Sequence, residues 1–151
     1  MFLKASAEDK NRLERFIMDK MEDWLNKLSD KRHLVEPQVA RAVMDSIAFH
    51  HTNNVWEVYE YVVMPNHIHV LFSLRKGDLR STLINFKQWT GRQAAPLIKL
   101  KGTAFWQDEW FDHWIRSNEE FYEKVEYIRQ NPVVAGLVRD YRHWPYASWE
   151  K

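Results

Sequence analysis

The chain has no cysteine at all, so disulfides, thiolate zinc sites and a cysteine nucleophile are excluded. Only four glycines punctuate 151 residues. That is too few for the many short Gly-turned strands of a cupin-like barrel. No apolar run approaches the length of a membrane span, and the charged start MFLKASAEDKNRLERF does not read as a signal peptide. These absences fit a soluble, cytoplasmic protein with no membrane partner. No internal repeat, low-complexity tract or Gly/Ser linker divides the chain. With 45% hydrophobic and 15% aromatic residues it has the means to bury a core.

The net charge of +1 conceals segregation. Between residues 75 and 101 stand Arg75, Lys76, Arg80, Lys87, Arg92, Lys99 and Lys101 against a single acid, Asp78. Trp89 lies within this segment, and Phe105, Trp106 and Arg116 follow. Cations for phosphates and rings for bases make a nucleic-acid surface; the same pattern also describes a solvated helix face.

Elements follow from periodicity and punctuation. Residues 1–35 carry Leu13, Phe16, Ile17, Met21, Trp24, Leu25 and Leu28 at helical spacing among charges, which predicts an amphipathic helical segment ahead of a domain spanning 36–151. Pro37 opens a second helix, which His50-His51 close. Residues 55–63 are apolar on both faces and read as a central strand. Asp78 caps a third helix through Leu79, Leu83 and Phe86, with Arg80, Lys87 and Arg92 outward. Residues 105–115 form an aromatic strand. Ser117-Asn118-Glu119-Glu120 is a capping box for a fourth helix that should stop at Asn131, before Pro132. The tail through Trp144-Pro145-Tyr146 and Trp149 reads as a packed extended segment. The sum is α+β with a small antiparallel sheet.

The chemistry concentrates in Tyr61-Val62-Val63-Met64-Pro65-Asn66-His67-Ile68-His69-Val70-Leu71-Phe72, a strand, a turn and a strand. Alternation puts Ile68, Val70 and Phe72 on a core face and His67 and His69 together on the other. Two imidazoles so placed suit one shared divalent ion; they also suit hydrogen bonding within a half-buried strand. Both should project from the sheet's open face, so that replacing either leaves no core cavity. In the fourth helix, Phe121, Val125 and Ile128 form one stripe, and Tyr127 falls roughly 120° away from it. Asn131, four residues on, shares Tyr127's side. The phenol and carboxamide are then either surface groups or the second half of a site with the histidines.

The run YVVMPNHIHVLF, then FWQDEWFDHWIRSNEEF, then YIRQNPVVAGLV and WPYASW resembles the tyrosine transposases of the HUH superfamily, REP-associated group, over about residues 36–149. The resemblance implies a ferredoxin-like, HUH-endonuclease-type antiparallel sheet with helices packed on it. The histidine pair lies on a central strand and the tyrosine on a helix across the sheet. It assigns Tyr127 as nucleophile and His67, His69 and Asn131 as ligands of a divalent metal, Mg²⁺ or Mn²⁺. It implies cleavage and rejoining of single-stranded or hairpin DNA through a 5′-phosphotyrosine, by a monomer or a homodimer. The family's first sheet strand has no obvious counterpart beyond Met1-Phe2-Leu3-Lys4, as though the chain were shortened there. A histidine-triad hydrolase is excluded by Leu71, which stands where a third His would be needed. An amidohydrolase barrel needs about 250 residues. The rival from another class is a domesticated DNA-binding protein with the same fold that no longer cuts.

Overall fold

The computed structural model describes residues 14–21, 36–98 and 105–150. Four antiparallel strands form one sheet: β1 (Glu14–Met21), β2 (Trp56–Val63), β3 (His67–Leu74) and β4 (Trp106–Trp114), in the order β2-β3-β1-β4. Helix α1 (Pro37–Thr52) follows β1, α2 (Leu79–Ala94) follows β3, and α3 (Asn118–Val134) follows β4. The first six of these make a ferredoxin-like βαββαβ unit, and α3 is an addition to it.

Residues 14–21 are therefore strand, not helix. Apolar residues at 16, 17 and 21 satisfy a helical period, but an interior strand gains ladder hydrogen bonds from two neighbours, which no local pattern records. The family's first strand is thus present in the chain, and the sheet runs across the boundary expected at 35/36. The remainder of the segment expected to be helical lies outside the described residues, as does Phe2-Leu3-Lys4.

One sheet face packs α1 and α2. Pro37 stands in the first turn of α1, and Val39, Ala40, Val43, Met44 and Ile47 are buried at helical spacing. Trp56 packs on Phe72 and Phe86, with ring centroids 4.9 and 5.0 Å away. Asp78 caps α2 by accepting from the Ser81 backbone N–H at 2.8 Å. Leu83, Phe86, Thr90 and Ala94 form its buried side.

β2 is an edge strand, not a central one. Its apolar content on both sides has another cause: α1 covers one of its faces and α3 the other, while the tail covers its free edge. Val63 N–H donates to the Tyr146 carbonyl at 2.8 Å, Ser148 N–H to that of Tyr61 at 3.1 Å, and the Trp144 indole to that of Val63 at 3.0 Å. Within β2, Val58 pairs with Phe72 and Glu60 with Leu71, so Tyr59 is an extra residue in a bulge. The bulge lets both Tyr59 and Glu60 face α3. Tyr59 reaches the Ser73 hydroxyl and the Phe121 ring, and Glu60 reaches Arg129.

α3 lies on the other face. Ser117 accepts from Glu120 N–H at 3.1 Å as the capping box requires, while the Glu120 carboxylate turns back to Arg116 N–H and to His113. The helix does not stop at Asn131: it carries Pro132 inside it and runs to Val134. Pro132 is buried with Phe121 and Ile128, and it lacks the N–H that would otherwise bond back along the helix. Termination comes from Gly136 at φ +77°, where Gly136 N–H donates to Val133 O and Leu137 N–H to Pro132 O, the Schellman arrangement. Gly136→Ala meets no steric neighbour but forces an L-residue into that region. It should lower unfolding free energy by about 1 kcal/mol, measured by urea denaturation.

Candidate active site

Helix α3 crosses β2 and β3 so that its C-terminal half stands over the histidine strand. The His67 and His69 rings are 4.8 Å apart and nearly perpendicular. The Tyr127 ring meets that of His69 edge to face at 5.3 Å. Asn131 hydrogen-bonds His69 through its side chain. Four residues predicted from sequence to belong together are therefore brought together, within one chain.

Their environments differ. His67 is half-buried, and its Nδ1 lies 2.7 Å from Asn66 Oδ1. His69 is only 1% exposed, because α3 covers it. The expectation that both imidazoles project from an open face thus holds for neither fully, and for His69 it is wrong: a His69→Ala change opens a cavity. Burial, reinforced by neighbouring His67, pushes the His69 imidazole down to about 3; the Asn131 hydrogen bond opposes this and Lys124 adds to it. His69 is consequently neutral at physiological pH, as a metal ligand must be. Tyr127 is 49% exposed, with the Lys124 ammonium 5.5 Å from its ring centroid. Its phenol is thus held at a fixed place and stays open to a substrate.

Among the described residues no three His, Cys, Asp or Glu converge on a possible metal position. The groups here that could hold an ion are His67, His69 and the Asn131 carboxamide. That mixed N/O set fits a divalent cation with coordination positions left open.

The predicted DNA-binding residues divide into groups. Lys87, Arg92 and Trp106 line one groove between α2 and β4, about 700 Å³, with Gln88, Gln107 and Trp110. Lys87 lies over the Trp110 ring and donates to the Gln107 carbonyl. Trp106 is buried against Phe86 rather than presented to bases, because it lies on the sheet face that α2 covers. Arg80 is exposed in the first turn of α2, outside that groove. Arg116 is exposed in the β4–α3 connection, roughly 15 Å of helix axis from Tyr127. The groove opens on the α2 side of the sheet and the histidines on the α3 side, so a strand contacting both must pass round β4.

Three residues escaped the sequence reading. Phe111 is 52% exposed and stands in one cross-strand row with Met18 and His69, on the histidine face. Glu60 and Arg129 form an ion pair beneath α3. Strand alternation alone could have put Phe111 on a face. Only the register of β1 with its two neighbours says which face.

The antiparallel sheet with helices packed on it is a transposase fold. The model of the family "Transposase IS200 like" matches residues 24–131, and the chain belongs to that family. The REP-associated tyrosine transposase of Escherichia coli (strain K12) is 30% identical over 98 residues, which are 64% of this chain and 56% of that protein. A relative from Haemophilus influenzae is 26% identical over 106 residues, 60% of its length. The chain thus matches little more than half the length of these relatives. In fold it is similar to a REP-associated tyrosine transposase solved with a REP hairpin (TM-score 0.64, 23% identity, covering 99% of this chain and 83% of that one).

Proposed function

We propose that the chain cuts and rejoins single-stranded DNA through a transient covalent bond to Tyr127, on hairpin-forming repeat sequences. The observation that carries this is the Tyr127 ring against His69, with Asn131 bonded to the same imidazole. Tyr127 is half-exposed and lies off the apolar stripe of its helix, yet its ring sits against a buried imidazole, where its phenol is open to a substrate. The Tyr127 oxygen attacks the scissile phosphorus and its proton is lost; the P–O3′ bond breaks, and the departing oxygen leaves as a 3′-hydroxyl. A 5′-phosphotyrosine remains, and attack by another 3′-hydroxyl reverses the step, so no energy cofactor is consumed.

His67, His69 and Asn131 would hold Mg²⁺ or Mn²⁺. The chemistry such an ion supplies is polarisation of the scissile phosphate and stabilisation of charge developing on it. Phe111 offers a ring for a base beside the histidines. Lys87 and Arg92 take phosphates further along, with Arg80 and Arg116 as outlying cations and Trp106 as groove floor. Because one chain carries all four central residues, a monomer is sufficient for chemistry, and a homodimer is not required by this geometry. Among the described residues no helix is long and apolar enough to cross a membrane, and action on DNA agrees with a cytoplasmic protein.

The test is incubation with labelled single-stranded hairpin oligonucleotides, with and without Mg²⁺ or Mn²⁺. Nicking and a protein-linked product that both require the ion support the reading. Hairpin binding without any cut under either ion would leave the domesticated DNA-binding protein. Replacing both Lys87 and Arg92 by Gln should lower the slope of log binding constant against log salt by about 1.4–1.8 units, about 0.7–0.9 per phosphate contact. A titration between 50 and 200 mM salt reads this, and an unchanged slope returns the segment to a solvated face.

A further inference from the structure

The apolar stripe of α3 does not by itself set where Tyr127 points. At about 100° per residue, Phe121, Val125, Ile128 and Pro132 fall within a narrow arc facing the sheet. Arg129 lies about 70° to one side of that arc; Asn131 lies about 90° and Tyr127 about 130° to the other. A cylinder seated on a greasy strip can roll, since dispersion and hydrophobic contact are non-directional. Something must fix the roll, and the two flanks are gripped differently.

On the β3 flank, Asn131 and Tyr127 meet His69. On the β2 flank, Arg129 Nε donates to Glu60 Oε2 at 2.7 Å. Glu60 is 5% exposed, placed toward α3 by the β2 bulge. Its other oxygen, Oε1, accepts from the Ser148 hydroxyl, and Ser148 in turn accepts from Tyr61 N–H at 3.0 Å. The Tyr141 ring lies 5.6 Å from the Arg129 guanidinium, whose outer side stays open to solvent. Both outer contacts come from the tail that follows α3. A surface pair such as Arg75–Glu57, with both side chains more than a third exposed, contributes little. A carboxylate this deeply buried, with one directed partner on each oxygen, is held in one geometry.

We propose that Glu60, Arg129 and Ser148 are positioning residues that fix the roll of α3 and thereby hold Tyr127 and Asn131 over His69. They touch neither substrate nor reacting atoms; they act through the helix. The functional consequence rests on the reading of Tyr127 as nucleophile, so the test includes a measurement that does not.

That measurement is the nuclear Overhauser effect between the Tyr127 and His69 ring protons, recorded in the metal-free, DNA-free protein. It is compared in wild type, Arg129→Gln and Arg129→Lys, with circular dichroism confirming a folded chain. Single-turnover cleavage at saturating hairpin DNA is measured alongside, with the DNA Kd. Arg129→Gln should weaken the ring–ring signal and slow cleavage about 10- to 100-fold, as a misplacement near 1 Å does. The DNA Kd should stay within about twofold, since only orientation is disturbed. Arg129→Lys should recover part of both. A folded Arg129→Gln variant with the wild-type ring–ring signal and rate overturns the proposal. If wild type does not cleave at all, the functional reading fails while the ring–ring comparison still decides the positioning role. If Arg129→Gln does not fold, Ser148→Ala takes its place. It leaves the ion pair but frees one carboxylate oxygen, and should weaken the ring–ring signal with a several-fold loss of rate. Wild-type values in that variant overturn the proposal equally.

Discussion

Tyr127→Phe is expected to abolish the covalent protein–DNA adduct while leaving the fold and DNA binding intact. The substitution deletes one oxygen from a ring that is 49% exposed and keeps the edge-to-face contact with His69. Stability should therefore change by no more than about 0.5 kcal/mol. On a denaturing gel of wild type with labelled single-stranded hairpin DNA, the adduct runs as a band of raised mass; in Tyr127→Phe that band should be absent. Its persistence would move the nucleophile elsewhere, and Tyr122 is the next residue to replace. Tyr122 is 53% exposed but packs edge-on against Phe121, a turn and more from the histidines.

Replacing His67 is the second large effect. His67 is half-buried and its ring nitrogen partners Asn66 beside it, so His67→Ala should fold with little loss. Cleavage with Mg²⁺ or Mn²⁺ should nonetheless fall by more than the roughly 10–100-fold typical of losing an outer-shell partner. His69 requires a different substitution. At 1% exposure under α3, its truncation to alanine confounds a lost ligand with a cavity. His69→Gln keeps most of the volume and is the informative variant; thermal unfolding should show it folded, and a metal-titrated nick assay should show it inactive. Wild-type cutting by either His67→Ala or His69→Gln would remove the metal assignment.

The site was legible in the sequence to the extent that its logic is local. A strand period of two places His67 and His69 on one side, and a helix period of 3.6 takes Tyr127 off the Phe121/Ile128 stripe and puts Asn131 beside it. The YIRQNP and HIH runs join those halves by resemblance, and the rings do meet. Where local rules compete with long-range ones, they lost. Residues 14–21 satisfy a helical period yet pair with two strands that come some fifty and ninety residues later. Asn131 before Pro132 looks like a stop, yet a buried Pro132 and a glycine at φ +77° four residues on carry the end past it. The expectation that Trp106 stacks on bases failed because strand register, not composition, decides which ring is covered.

By itself, then, the sequence determined the cysteine-free chemistry through composition, and the α+β class, the strand bearing the two histidines and the helix bearing the tyrosine through repeats of two or 3.6 residues within one element. The tertiary structure alone decided which strands are edges, that α3 buries His69 instead of leaving it open, and that Glu60 and Arg129 meet across 69 residues of chain. Those facts depend on how elements stack and on the hydrogen bonds a buried carboxylate must find, and no local spacing encodes the partner that supplies them.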